Sequence, residues 1–379
     1  MLYYLAGLLT GYWGPFRLLQ SHALLTAGGT FTAAIATWFL LPRLWRFLPR
    51  DHGKAILKDM DGMASQGKPT GAGVIVTLIA LPVIILFAPL AFWDLMAVAA
   101  LYLAMLFGYL DDRSAIPWGE LRKGLLDAVV ALAIAIAIFL GHSEMIEGVG
   151  RRMIVWIPFF KGNAVEIAGE LVYLFHAPGW LYIPLAASIL WFVMNATNCS
   201  DGVDGLAGSL TLVALVMLAV ILYVVVGYRP VAHYFLIPVY SEAARWAIVV
   251  MVVAGAFGGY LWYNANPSQI LMGDAGSRYL GILVATASLM TGNPFIVFAL
   301  APIVLVNGGG GLAKLVLLRA AKRLGFQIPD SSVIKRIRFP LHDHCKKNLG
   351  WSNPQVLVRF VLLQLVIMPI FLLVILKVR

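Results

Sequence analysis

Apolar residues along this chain come in ten long blocks, approximately 23–41, 73–93, 94–110, 124–141, 181–197, 206–227, 244–263, 278–292, 294–318 and 356–376. The block 73–93 holds no charged residue. The block 356–376 holds only Arg359, near its start, where the side chain can snorkel to an interface. A helix of about 20 residues covers ~30 Å, the thickness of a bilayer core. The pattern predicts an all-α polytopic membrane protein with about ten transmembrane helices. The second and third blocks nearly fuse at Asp94, and the eighth and ninth at Asn293-Pro294, so both joins require tight turns.

Composition agrees. Of 379 residues 61% are hydrophobic and 12% charged, with a mean hydropathy of +0.87; a soluble chain carries roughly twice that charge. No internal repeat, low-complexity tract or soluble domain is visible, and residues 1–379 read as one integral membrane domain. The first twenty residues lack a basic leader and a cleavage site, and read as an interfacial lead-in. Two cysteines, Cys199 and Cys345, imply no disulfide framework. The net charge of +10 points to topology and to anionic lipid or phosphate, not to nucleic acid.

Charge also orients the chain. Loops 42–72, 111–123, 198–205, 264–277 and 319–355 share one side and hold most of the Lys and Arg, including Arg43, Arg46, Arg50, Lys54, Lys58 and Lys68 in the first, and Lys335, Arg336, Arg338, Lys346 and Lys347 in the last. The positive-inside rule places these loops in the cytoplasm and both termini outside. Segment 142–180 is the main outer loop, with room for a short hairpin or an amphipathic helix. Segment 319–355 is a cytoplasmic histidine loop.

Four polar motifs fall on that same side, although only Lys and Arg set the orientation. Asp111-Asp112 ends an apolar helix, where acid opposes the macrodipole and favours a cation partner; the alternative is a solvated helix end beside Arg113. The stretch Asn195-Ala196-Thr197-Asn198-Cys199-Ser200-Asp201-Gly202-Val203-Asp204-Gly205 offers two amides and two carboxylates, with glycines that admit a close ligand. Asp201 and Asp204 could share a face of the next helix, the alternative being a cap by Ser200 or Asp201. Met272-Gly273-Asp274-Ala275-Gly276-Ser277 precedes a helix, a natural phosphate cradle with a carboxylate suited to Mg²⁺; a capped helix start is the plain alternative. His342-Asp343-His344 follows basic residues. Its spacing suits a loop, and imidazole beside Arg and Lys suits an anion better than zinc does; a polar headgroup loop is the alternative. Together these describe phosphoryl transfer between a soluble nucleotide-linked donor and a lipid acceptor.

The chain resembles the bacterial phospho-N-acetylmuramoyl-pentapeptide transferases, of the polyprenyl-phosphate hexose-1-phosphate transferase superfamily (glycosyltransferase 4). The shared elements are Pro69-Thr70 with Gly73, Gly108 to Asp112, Ile157-Pro158-Phe159-Phe160-Lys161, Asn195 to Gly205, Met272-Gly273-Asp274 with Gly276-Ser277, Pro340-Leu341-His342 with His344, Gly350-Trp351, and the ending Leu376 to Arg379. The resemblance implies transfer of phospho-MurNAc-pentapeptide from UDP-MurNAc-pentapeptide to undecaprenyl phosphate, releasing UMP, in peptidoglycan biosynthesis. It implies Mg²⁺ as cofactor, a homodimer, and the bacterial cytoplasmic (inner) membrane. By motif position Asp274 corresponds to the Mg²⁺ ligand, Asp111 and Asp112 to the essential pair near the lipid phosphate, and Asn195, Asn198, Asp201 and Asp204 to the nucleoside pocket. Lys123 corresponds to the pocket lysine, with Arg122 competing for the role. His342 and His344 match two of the family's three consecutive histidines.

Four positions depart from that pattern: Asp343 replaces the middle histidine, Leu271 a uracil-stacking Phe, Ser65 a lysine, and Asn307 a glutamate. A sister reaction with UDP-GlcNAc stays open. A transporter is disfavoured, because the acids sit at helix ends and not in mid-span.

Overall fold

The computed structural model describes residues 1–51, 65–114, 116, 118–158, 164–167, 170–173, 175–240, 242–326, 329 and 332–377. Phe159, Phe160, Lys161, Lys54, Lys58 and Arg379 lie outside the described residues.

A helix stands at each of the ten apolar blocks. After a short α1 (Leu2–Leu9) come α2 (His22–Leu44), α3 (Ala72–Phe87), α4 (Phe92–Arg113), α5 (Glu120–His142), α6 (Gly179–Cys199) and α7 (Leu206–Val220). There follow α8 (Arg229–Tyr234), α9 (Ala243–Asn264), α10 (Gly273–Leu289) and α11 (Ile296–Leu300). Last are α12 (Pro302–Arg323), α13 (Val333–Arg336), α14 (Leu341–Leu349) and α15 (Asn353–Lys377). Among the described residues eight of these helices are long and apolar enough to cross a membrane, and α3 is a shorter apolar helix. The chain is an all-α multi-pass membrane protein.

The tight joins have local causes. Between α3 and α4 the Asp94 carboxylate accepts the Ala91 N–H at 3.2 Å and so starts α4. Between α10 and α11 Gly292 takes φ +75, and Asn293 Oδ1 accepts the Phe295 N–H at 2.8 Å. The segment after α5 holds strands instead of an amphipathic helix. β1 (Glu144–Ile146), β2 (Gly150–Ile154) and β5 (His176–Pro178) form an antiparallel sheet, and β3 (Ala164–Ile167) pairs with β4 (Glu170–Tyr173) as a hairpin.

Helix α10 lies at the centre. Every residue from Ala275 to Leu289 is buried, which explains why its apolar block was the shortest: it faces protein, not lipid. Its neighbours come unusually close at glycines. A Cβ on Gly73 would sit 2.2 Å from Gly276 Cα, and one on Gly108 would sit 2.6 Å from the Asp274 carbonyl. These crossings bring the ends of α3 and α4 onto the first turn of α10. In α12 a π-helical turn at Leu305–Gly309 passes close to α6, where a Cβ on Gly308 would meet the Ala196 carbonyl oxygen at 1.9 Å.

Candidate active site

The first turn of α10 needs partners for its free N–H groups, and Met272, at its N-cap, supplies none. A carboxylate from another helix does. Asp112, at the end of α4, accepts the Asp274 N–H at 3.1 Å through Oδ1 and the Ala275 N–H at 3.2 Å through Oδ2. Gly273, at φ +73, makes room: a Cβ there would meet Asp112 Oδ2 at 2.4 Å. The expected phosphate cradle is therefore corrected. Those two amides are already given to Asp112, because a carboxylate at a helix N-terminus is stabilised by the same dipole that would hold a phosphate.

Asp111 turns the other way. It is 2.5 Å from Lys123 Nζ and accepts the Trp118 N–H at 2.8 Å. The mismatch of acid with the helix C-terminus is thus answered by a cation from α5. Lys123 also lies 3.7 Å from Asp274 Oδ2. Arg122 instead stacks on the Trp118 ring, 3.8 Å from its centre, so the lysine is the residue that enters the acidic cluster. Asp274 Oδ2 further accepts from Arg278 Nη2 at 3.2 Å, and Arg278 Nη1 binds Asp127 at 2.7 Å. Arg278 and Asp127 were absent from the residues singled out above. Their signal was available: a charged residue within or at the edge of an apolar block is itself a site marker. Three carboxylates, Asp111, Asp127 and Asp274, share two cations, Lys123 and Arg278, and Asp112 stands beside them on the backbone amides of α10. Among the described residues no group of three or more His, Cys, Asp or Glu closes into a metal cage.

The stretch 195–205 lies alongside. Helix α6 runs to Cys199, and Gly205 at φ +75 caps α7. Asp201 and Asp204 therefore sit in a turn, not on a shared helical face, and neither Ser200 nor Asp201 caps α7. Ser200 instead bonds back to the Ala196 carbonyl at 2.9 Å. Asp204 accepts the Ser268 N–H at 3.1 Å and faces Asn266 at 3.4 Å. Asn264 bridges the two loops, accepting the Gly205 N–H at 2.8 Å and donating to the Ile270 carbonyl at 2.7 Å. Asn195 donates to the Trp191 carbonyl at 2.9 Å and lies beside Asp127. The Asn198 Nδ2 is buried with no partner among the described residues. Leu271 is fixed through its backbone, donating to the Pro69 carbonyl at 2.9 Å and accepting the Ala72 N–H at 3.0 Å. Lys68 reaches Ser268 Oγ at 3.1 Å.

The histidine segment is helical, a second correction. Pro340 leads into α14, and a spacing of two turns His342 and His344 to different sides of it. His342 is buried; its N–H donates to Asn307 Oδ1 at 2.9 Å, and its Nδ1 lies 3.1 Å from the same oxygen. A Cβ on Gly202 would meet His342 Nε2 at 2.2 Å, so α14 presses on the 195–205 turn. Burial drives the His342 pKa down to about 4, with Asp343 pulling it up and Lys346 pushing it down. The ring is neutral at pH 7, with its one N–H at Nδ1 given to Asn307 Oδ1 and Nε2 left as an acceptor. His344, partly exposed, accepts the Arg338 N–H at 3.3 Å through Nδ1. One departure becomes intelligible here: Asn307 is the direct partner of His342.

The opposite end of the bundle carries a separate buried knot. Asp94 Oδ1 accepts from Trp246 Nε1 at 2.8 Å and meets His142 Nε2 at 3.0 Å. Asp94 and Asp111 bound one helix, about 25 Å apart at 1.5 Å per residue.

The fold is a membrane-spanning helical bundle with acids and cations gathered at one mouth, and the comparisons with known proteins give its class, a membrane-embedded transferase. The family model described as glycosyl transferase family 4 matches residues 94–292, which hold all four clustered acids and both cations. A phospho-N-acetylmuramoyl-pentapeptide-transferase of Treponema pallidum (strain Nichols) is 42% identical over 354 residues, 93% of this chain and 90% of the relative. Proteins of the same name from Gemmatimonas aurantiaca and Brachyspira hyodysenteriae are 28% and 27% identical, each match covering at least 93% of both chains. The chain belongs to the phospho-N-acetylmuramoyl-pentapeptide transferase family.

Proposed function

We propose that this protein transfers phospho-MurNAc-pentapeptide from UDP-MurNAc-pentapeptide to undecaprenyl phosphate, giving the first lipid intermediate of peptidoglycan and UMP. The observation that carries the reading is the convergence of Asp111, Asp112, Lys123 and Asp274 at one end of the bundle, in a chain 42% identical to a relative of that name. An oxygen of the acceptor phosphate forms a bond to the phosphorus that bears MurNAc, and the bond from that phosphorus to the bridging oxygen breaks. UMP leaves with that oxygen.

The residues divide the work. Asp274 would hold Mg²⁺, which would supply charge neutralisation of the pyrophosphate. Lys123 brings a fixed cation toward the phosphate oxygens. Asp112 holds the first turn of α10, and with it Asp274, in place. Asp111 orients Lys123. Neither carboxylate of the pair is poised as a free base: Asp112 uses both oxygens on backbone N–H groups and Asp111 uses both on Lys123 and Trp118. None is required, since a phosphate monoester with a second pKa near ~6 is largely dianionic at cytosolic pH. The 195–205 turn and the His342 helix form the wall for the nucleoside. The site faces the cytosol of a bacterial inner membrane, where the soluble donor meets the lipid, and the protein works as a homodimer.

Competition between the two candidate donors tests the substrate. Purified protein offered UDP-MurNAc-pentapeptide and UDP-GlcNAc with undecaprenyl phosphate is expected to give only the MurNAc-pentapeptide lipid by mass. A GlcNAc lipid as the main product would select the sister reaction.

A further inference from the structure

Two buried members of the cluster, Arg278 and Asp127, have no role in the proposed transfer. Arg278 and Asp127 are 5% and 1% exposed at their side chains and bind each other at 2.7 Å. A buried ion pair contributes to stability only when its remaining lone pairs and protons are satisfied. Here they are not: Asp127 Oδ2 and Arg278 Nε are buried with no hydrogen-bond partner among the described residues. Replacing such a pair by apolar side chains is often neutral or stabilising, so stability does not explain it.

Its position does. Arg278 stands one turn after Asp274 on α10 and donates to Asp274 Oδ2 at 3.2 Å through Nη2, while Nη1 goes to Asp127 on α5. The guanidinium therefore spans two carboxylates on two helices. Lys123 approaches the same Oδ2 at 3.7 Å, which leaves Oδ1 outside both contacts. Asp127 cancels the charge that Arg278 would otherwise set against an incoming cation. Groups that hydrogen-bond a ligating carboxylate fix its orientation, and their loss typically costs 10–100-fold in metal affinity.

We infer that the Asp127–Arg278 pair is a positioning device for the divalent cation: it holds the Asp274 carboxylate in its metal-binding orientation without adding net charge to the site. The inference rests on the proposed role of Asp274 as metal ligand. A lysine at 278 keeps the charge but lacks the planar fork that reaches both carboxylates.

The test is direct binding of Mn²⁺ to the full-length protein in detergent, read from the electron paramagnetic resonance signal of the free ion, beside a thermal melt. The double variant Asp127→Leu/Arg278→Met is expected to melt within a few degrees of the parent while its half-saturating Mn²⁺ concentration rises about 10–100-fold. Unchanged or tighter binding by the folded double variant overturns the inference. Arg278→Lys carries the test if the double variant does not fold. Its half-saturation should rise about tenfold, the lower end of that range, and an unchanged value overturns the inference as well. Asp274→Asn separates the two layers. If it binds Mn²⁺ like the parent, the assignment of the metal to Asp274 fails; if it loses Mn²⁺ and the pair variants do not, only the positioning role fails.

Discussion

One carbon added at Gly73 tests whether the glycine crossing sets the catalytic geometry. In Gly73→Ala the new Cβ would lie 2.2 Å from both Gly276 Cα and Gly276 N, backbone atoms with no rotamer to yield. Carbon atoms pack best at ~3.5 Å or beyond, so α3 and α10 must part by ~1.3 Å. The separation acts on the turn that holds Gly273 and Asp274 against Asp112. Overpacking of this kind costs about 1–3 kcal/mol of stability, and a 1 Å misplacement of a reacting group costs on the order of 10²-fold in rate. UMP release measured beside a thermal melt should show both losses. Gly258→Ala is the control, a helical glycine whose added Cβ meets nothing within 4 Å; it should leave the rate unchanged and the melting temperature equal or slightly higher, alanine being the better helix former. A Gly73→Ala protein with the parent's rate and melting temperature would refute the idea that this contact positions the site.

Other outcomes follow from single residues. Lys123→Met should cut kcat by about two orders of magnitude, since the phosphate oxygens lose the cation that Asp111 and Asp274 hold toward them; a rate within threefold of the parent would remove Lys123 from the site. Leu271→Phe, restoring an aromatic ring where the family stacks uracil, should lower KM for the uridine nucleotide about tenfold, a base–aromatic stack being worth ~1–3 kcal/mol; an unchanged KM would place the base elsewhere. His342 gives a pH signature. Its folded pKa of about 4 lies below the unfolded value of ~6.5, so protonation favours the unfolded chain. Its contribution is complete above pH ~6.5 and declines as pH falls toward 4, by up to ~3 kcal/mol. Melting curves of the parent and of His342→Gln from pH 7.5 to 4.5 should converge at the acid end, and parallel curves would contradict it.

Much of this architecture could be read before any coordinates. Block length alone located ten helices, and Lys and Arg counts grouped the motifs at one end, because a bilayer imposes both rules on sequence directly. What could not be read depends on contacts between distant segments. That Asp112 caps α10 from the end of α4 requires the Gly73 and Gly108 crossings, which no local pattern announces. The histidines form a helix although their spacing suits a loop, because Asn307 on α12 takes the His342 backbone N–H and ring together. Asp201 and Asp204 sit in a turn because Gly205 starts α7 after them. Arg278 and Asp127 were visible as charges at the inner ends of apolar blocks, and a stricter reading of intramembrane charge would have found them.

The most direct measurement is UMP release by the purified protein from UDP-MurNAc-pentapeptide, with and without undecaprenyl phosphate and Mg²⁺, for the parent and for Asp274→Asn. The account predicts release that requires both additions and falls by orders of magnitude in the variant. Release that is independent of the lipid acceptor, or that survives unchanged in Asp274→Asn, would contradict it.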